Sequence, residues 1–307
     1  MEKKLKSGMV AIVGRPNVGK STLLNAILGE KVSIVSDVPQ TTRRQIRGIH
    51  TDARGQIVFI DTPGMHAGRD KLDKYMNRAS LDSIDSVEAV IHMVDASEKT
   101  GEEERRVVSR LNKCGKPIIV GLNKTDITKG KFVPEYIKLW EETRGMPMTE
   151  IKDLTLFPLS ALKGTNVKKL VDLLFEYMPV GPFLYPVETL TDLPKRMAMA
   201  DLIREKLFLL MKEEVPHSIA VIIEGVKPKK GKVLHIQATI LVERESQKEI
   251  VIGKGGAILK QVGTQARKDL EELVEQKVFL ELFVKARSNW REDYSTLEEM
   301  GYIFSDL

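Results

Sequence analysis

Apolar residues in the first half of the chain gather into short continuous runs. Val10-Ala11-Ile12-Val13 closes on Gly14, and similar runs recur at residues 57–60, 89–94, 117–122 and 154–159. Short apolar runs bounded by turn formers read as buried strands. Between them the period changes. Residues 20–28 carry Leu23, Leu24, Ile27 and Leu28 at helical spacing and stop at Gly29, a natural helix terminator. Further helical stretches lie near 70–84, 101–114, 133–144 and 165–177. Buried strands alternating with helices predict an α/β domain, with a mostly parallel sheet covered by helices on both faces.

The pattern breaks where Pro179, Gly181, Pro182, Pro186 and Pro194 crowd together. Proline fixes φ and lacks an N–H, so this stretch excludes a long helix or a central strand. It reads as a linker over 179–196, between a first domain at 1–178 and a second at 197–307. The second half has an amphipathic helix at 198–211 and strands at 218–226 and 233–242. A glycine-rich segment follows at 250–260, then a helix to about 275 and a strand at 278–284. The order α-β-β-α-α-β predicts a smaller α+β domain.

Composition changes this picture little. The 307 residues are 42% hydrophobic and 30% charged, which suits two globular domains. Cys114 is the sole cysteine, so an internal disulfide is excluded, and it reads as a packing residue. No apolar run approaches the ~20 residues that span a bilayer. The apolar stretch at 9–13 is too short for a signal sequence, so a cytoplasmic location is expected. The net charge of +5 tilts mildly toward a polyanionic partner. His50, His66, His92, His217 and His235 are scattered without metal-ligand spacing, and Trp140 and Trp290 read as packing.

Chemistry enters at the first strand–helix junction. Gly14-Arg15-Pro16-Asn17-Val18-Gly19-Lys20-Ser21, followed by Thr22, matches G-x-x-x-x-G-K-[ST] between a predicted strand and a predicted helix. The glycines let successive backbone N–H groups curl around a phosphate, and the helix N-terminus adds partial positive charge. Lys20 reaches the β- and γ-phosphates, and the Ser21 hydroxyl is a hard ligand for Mg²⁺. Asp61-Thr62-Pro63-Gly64 ends the strand at 57–60. A carboxylate there lies beside the ligand crevice and can hold Mg²⁺ through water, while Gly64 offers its N–H to the γ-phosphate.

Asn123-Lys124-Thr125-Asp126 selects the base. The Asp126 carboxylate can accept from the ring N–H and exocyclic amine of guanine, a donor pair adenine lacks. The Lys124 stem can cover the base, Asn123 can tie this loop to the phosphate loop, and Ser160-Ala161-Leu162 can offer an N–H to the guanine carbonyl. The expected cofactors are GTP and GDP with Mg²⁺.

These motifs resemble the translation-factor class of GTPases. With Val251-Ile252-Gly253-Lys254-Gly255-Gly256, which resembles the GxxG loop of a type II KH domain, the chain is similar to the Era family of bacterial ribosome-assembly GTPases. The segments Gln40-Thr41-Thr42-Arg43 and Leu241-Val242-Glu243-Arg244-Glu245 look like that family too. The resemblance implies that Thr42, rather than its neighbour Thr41, meets Mg²⁺ and the γ-phosphate in a loop that hydrolysis releases. It implies a role for Asn17 with K⁺ as second cation. Ras-type GTPases place a water-orienting glutamine where this chain has Met65, so slow intrinsic hydrolysis is expected.

Ile252, Gly253, Lys254, Gly255, Gly256 and Lys260 are the expected RNA contacts. The GxxG backbone approaches nucleotide phosphates closely while the bases splay onto a groove. Few aromatics lie near the loop in sequence, so phosphate contacts should dominate. The basic turn Lys227-Pro228-Lys229-Lys230-Gly231-Lys232 reads as a solvated loop. The resemblance implies a target near the 3′ end of 16S ribosomal RNA, action on the 30S subunit as a monomer, and a secondary peripheral contact with the inner face of the cell membrane. Two other readings stay open: an ATP-dependent enzyme, which Asp126 argues against, and an RNA-binding protein with a structural nucleotide.

Overall fold

A computed structural model describes residues 4–65, 68, 70–211, 214–229 and 232–302. His66, Lys230 and Gly231 lie outside the described residues, as do residues 1–3 of the basic N-terminus. The chain divides into two units: Met1–Val35, Thr42–Arg69 and Met76–Asp192 form one, and Ser36–Thr41, Asp70–Tyr75 and Leu193–Leu307 the other.

In chain order the first half builds β1 (Lys6–Val13), α1 (Lys20–Leu28), β2 (Ile46–Asp52), β3 (Gly55–Asp61), α2 (Lys71–Asp85), β4 (Ala89–Asp95) and α3 (Glu102–Leu111). There follow β5 (Ile118–Asn123), the single turn α4 (Thr125–Thr128), α5 (Val133–Arg144), β6 (Leu154–Pro158) and α6 (Val167–Tyr177). The second half holds α7 (Lys195–Leu210), β7 (Ala220–Lys229), β8 (Val233–Val242), α8 (Glu245–Ile252), α9 (Ala257–Val274), β9 (Lys277–Ala286) and α10 (Tyr294–Glu299).

The first sheet runs β2-β3-β1-β4-β5-β6. All its pairs are parallel except β2 with β3. Val10 to Val13 and the whole of β4 are buried, as strands covered on both faces must be. One apolar cluster joins Leu23, Leu24, Leu170 and Leu174 to Val10 and Ile12; the other joins Val107, Leu111, Tyr136 and Trp140 to Ala11 and Val13. Successive residues of one strand therefore feed opposite faces. Cys114 packs half-buried against the second cluster.

The apolar pattern does not announce β2. Only Ile46, Gly48 and Ile49 of its seven residues are buried, and it forms because β3 offers an edge for antiparallel pairing. The proline-rich segment is also less free than its composition suggests. The Ile49 amide donates to Leu190 O at 2.9 Å, and the fully buried Gln56 accepts from the Leu184 and Tyr185 amides at 2.8 Å each. Most of the expected linker is thus laid along the edge of the first sheet.

The second sheet runs β7-β8-β9, antiparallel then parallel. Its α-β-β-α-α-β order is the one expected, with α10 added. Ile236, Ala238 and Ile240 of β8 pack with Ile203 and Leu207 of α7 and with Val262, Ala266 and Leu270 of α9. Trp290 is fully buried and donates from Nε1 to Ser218 O at 2.9 Å, so it packs as expected.

Candidate functional site

Backbone geometry explains the phosphate loop. Gly14 sits at φ 153°, where an added Cβ would meet Met93 O at 2.3 Å; Gly19 sits at φ 98°, where it would meet Asn123 Nδ2 at 2.3 Å. No larger residue fits either position. Asn17 holds the left-handed region at φ 60°. Gly19 leaves the start of α1 without a side-chain cap among the described residues, so its first N–H groups face the loop's concave side.

The Lys20 ammonium donates to Gly14 O at 3.1 Å and Arg15 O at 2.7 Å, folded over the loop that would cradle phosphate. Burial lowers its pKa to about 8; Asp61 and Glu104 oppose that shift and Arg15 adds to it.

Three expected metal ligands converge. Ser21 Oγ donates to Asp61 Oδ2 at 2.6 Å and lies 2.8 Å from Thr42 Oγ1. Ser33, which the sequence did not single out, donates to the same Asp61 oxygen at 2.9 Å. Thr41 is engaged elsewhere, donating to Val38 O at 2.6 Å. The adjacent threonines are thereby told apart: the Thr42 hydroxyl reaches Ser21 and the Thr41 hydroxyl does not. Asp61 is fully buried, its Oδ1 has no hydrogen-bond partner among the described residues, and burial raises its pKa despite Ser21, Lys20 and Ser33. A buried carboxylate oxygen left open beside two hydroxyls is the donor set of a hard divalent cation, so these residues fit Mg²⁺.

Past Asp61, the Thr62 hydroxyl donates to Ile12 O at 2.8 Å. Gly64 lies so close to the phosphate loop that an added Cβ would meet Pro16 N at 2.7 Å. The Met65 amide donates to Gly14 O at 3.3 Å, while its side chain is buried in the apolar cluster with Val13 and Ile60. A thioether turned into the core cannot orient water.

The guanine loop is wired to the phosphate loop as expected. Asn123 Nδ2 donates to Val18 O at 2.8 Å, and its Oδ1 accepts from the Ala161 amide at 2.9 Å. Thr125 Oγ1 donates to Leu159 O at 2.9 Å. Lys124, at φ 61°, turns the chain so that Asp126 stands exposed on α4. Leu162 is exposed and Ser160 buried. Replacing Asn123 by alanine leaves a buried carbonyl and a buried amide unpaired. Asn123→Ala should therefore cost about 2–3 kcal/mol of stability, read as a lowered denaturant midpoint at unchanged slope. An unchanged midpoint would refute this account of the tie.

In the second unit α8 ends at Gly253, φ 73°, where an added Cβ would meet Ile258 Cγ1 at 2.7 Å. Gly255 and Gly256 are also left-handed, at φ 62° and 78°, but face open space. Lys254 and Lys260 are exposed, and Ile252 is half-buried. A groove of about 450 Å³ runs between α9 and β9, with Gly256, Lys260, Thr264 and Arg267 on one wall and Phe279 and Leu280 on the other. This corrects the expectation of few aromatics, because the exposed Phe279 is distant from the loop in sequence and adjacent in space. It also corrects the reading of Lys229 as merely solvated: its ammonium lies 4.2 Å from the centre of the Phe279 ring. Among the described residues no group of three or more His, Cys, Asp or Glu could hold a metal, and no helix is long and apolar enough to cross a membrane.

Comparison with known proteins agrees with both halves. Residues 9–124 match the family model described as 50S ribosome-binding GTPase, and residues 214–291 match the KH domain. GTPase Era of Geotalea uraniireducens is 46% identical over 301 residues, 98% of this chain and 99% of that protein. GTPase Era of Geobacter metallireducens is 47% identical over 298 residues, 97% and 98% of the two chains. Among solved structures, Era in complex with MgGDPNP and nucleotides 1506–1542 of 16S ribosomal RNA superposes with a TM-score of 0.90 at 38% identity, covering 98% of this chain and all of that one. Aquifex aeolicus Era bound to GDP and AlF4⁻ gives the same values. With near-complete coverage in both directions, and with a guanine-selective P-loop and a GxxG groove in one chain, this protein belongs to the Era family of GTPases.

Proposed function

We propose that this GTPase is a switch whose nucleotide state governs binding of its KH domain to the 3′ region of 16S ribosomal RNA during maturation of the 30S subunit. The observation that carries this reading is the meeting of Ser21, Thr42 and Asp61 beside the uncapped start of α1. Thr42 belongs to a segment without regular structure, residues 31–45, so a ligand of that hydroxyl reports directly to a loop. The relative of similar architecture was bound to both MgGDPNP and 16S nucleotides, which supports the same pair of ligands here.

In this reading the backbone of residues 14–19 and the Lys20 ammonium hold the β- and γ-phosphates, and the Gly64 N–H faces the γ-phosphate. Asp126 and the Lys124 stem hold guanine, with Ala161 offering its N–H to the guanine carbonyl. Ser21 and Thr42 would hold Mg²⁺, with Asp61 behind them; the ion supplies charge neutralisation at the phosphates. Asn17, left-handed in the loop, is placed for K⁺. The Met65 side chain is buried, so water is oriented by backbone or by a partner, and turnover by the chain alone is slow. The protein works in the cytoplasm as a monomer, and its basic N-terminal residues Lys4 and Lys6 support only a secondary contact with an anionic membrane surface.

The test is GTP hydrolysis under single turnover, with and without an RNA oligomer matching the 3′ end of 16S ribosomal RNA, in K⁺ and in Na⁺. RNA is expected to accelerate phosphate release, and K⁺ to exceed Na⁺. A rate indifferent to RNA would sink the coupling, and equal rates in the two salts would remove the K⁺ role.

A further inference from the structure

Beside the phosphate loop lies a buried polar cluster that none of the expected contacts uses. Arg15, the second residue of the loop, turns its side chain away from the cradle. Its Nε donates to Glu104 Oε2 of α3 at 2.6 Å, and its Nη2 donates to the Tyr136 hydroxyl of α5 at 3.2 Å. Glu104 and Tyr136 are fully buried. The second Glu104 oxygen, Oε1, lies 2.7 Å from Nε2 of His92 on β4, also fully buried. Burial alone would raise the Glu104 pKa, yet the His92 hydrogen bond and the Arg15 charge hold it below the ordinary carboxylate range. A charge this deep persists only where paired, so the Arg15 guanidinium is fixed in place.

The cluster continues toward the base. The Tyr136 hydroxyl, accepting from Arg15, turns its own proton to Asp95 O at 2.9 Å, with Glu98 O at 3.3 Å. Burial and the neighbouring Glu104 carboxylate push its pKa above the usual phenol range, so that proton stays available. Asp95 ends β4, and its Oδ2 pairs with the Lys124 ammonium at 2.5 Å. Its Oδ1 is held by the Ser97 amide at 2.9 Å. A continuous path, Arg15–Tyr136–Asp95–Lys124, therefore joins the phosphate loop to the guanine loop behind the ligand.

We propose that Tyr136 is a positioning residue for the GTPase reaction, its hydroxyl coupling the placement of the phosphate loop through Arg15 to that of the guanine loop through Asp95 and Lys124. Its neighbours are already ordered by packing, since the ring lies in the apolar cluster with Trp140 and Val107. Removing the single oxygen leaves that packing and cuts the path. The inference rests on placing the nucleotide at residues 14–21 and 123–126.

The test is a mutant cycle on the full chain, with GDP affinity measured by a fluorescent analogue. Arg15→Ala and Lys124→Ala, far apart in sequence and on opposite sides of the ligand, should each weaken GDP. Combined, they should cost about fivefold less than the product of the two, as coupled sites do. In the Tyr136→Phe background the costs should become multiplicative. Tyr136→Phe alone should raise the KM for GTP about fivefold with kcat little changed, the pattern of lost uniform binding. Glu104→Gln, which frees Arg15 from the other side, should also abolish the non-additivity and serves if the phenylalanine variant is poorly folded. Multiplicative costs in the unaltered background, or non-additivity that survives both replacements, would overturn the proposal. If Lys124→Ala left GDP binding untouched, the placement of the nucleotide itself would be wrong and the bridge would fall with it.

Discussion

Asp126→Asn is expected to weaken GTP binding by about 10²–10⁴-fold and to restore much of it with xanthosine triphosphate. The Asp126 carboxylate stands free on the single turn α4, at the end of a loop fixed by Asn123 and by the left-handed Lys124. Two charge-assisted hydrogen bonds to guanine, at about 1.5–3 kcal/mol each, sum to about 3–6 kcal/mol, and each ~1.4 kcal/mol is tenfold. Asparagine presents one donor where guanine needs an acceptor, so part of the loss is active mismatch. Xanthine carries a carbonyl in place of the exocyclic amine, and the asparagine N–H can donate to it. Competition titrations of GTP, XTP and ATP against a fluorescent nucleotide decide the matter. A variant that keeps GTP preference would place the base elsewhere, and unaltered protein that bound ATP equally well would reopen the ATP-dependent alternative.

Much of this site was legible because its parts are short and local. A phosphate cradle needs glycines at fixed offsets between a strand and a helix, and the spacing Gly14, Gly19, Lys20 displays that need directly. The order of Asp61, Asn123 and Ser160 at strand ends is equally visible, because parallel strands deliver their carboxyl ends to one edge. Residues whose role depends on distant partners were not legible. Glu102-Glu103-Glu104 reads as an acidic first turn that suits a helix dipole; nothing in the run says that its third member faces inward to Arg15 and His92. Asp95 ends a parallel strand as Asp61 does, and that shared position is the signal that could have found it. Ser33 gave no signal. Phe279 and Lys229 lie fifty residues apart in sequence and meet only because β7, β8 and β9 form one sheet. Strand β2 escaped for a related reason: its pairing is set by the open edge of β3 rather than by its own apolar pattern.

Reversing two charges at the glycine loop should separate RNA binding from folding. Lys254→Glu with Lys260→Glu is expected to lower affinity for a single-stranded 16S 3′-end oligomer by about 10²–10³-fold at low salt, because phosphate contacts dominate such binding. Both side chains are exposed, so the melting temperature should stay within the small range of surface substitutions. The glycines are the poorer target. Gly253 has Ile258 against it, so replacement would disturb the α8–α9 junction, and a folding defect would imitate a binding defect. The salt dependence carries the sharper test. Each phosphate contact contributes about 0.7 to the slope of log affinity against log salt for a single strand. Losing two contacts should flatten that slope by about 1.4, whereas Phe279→Ala, which removes an apolar wall of the groove, should weaken binding with the slope nearly unchanged. If the charge reversals left both affinity and slope intact, the groove between α9 and β9 would not be where the RNA lies.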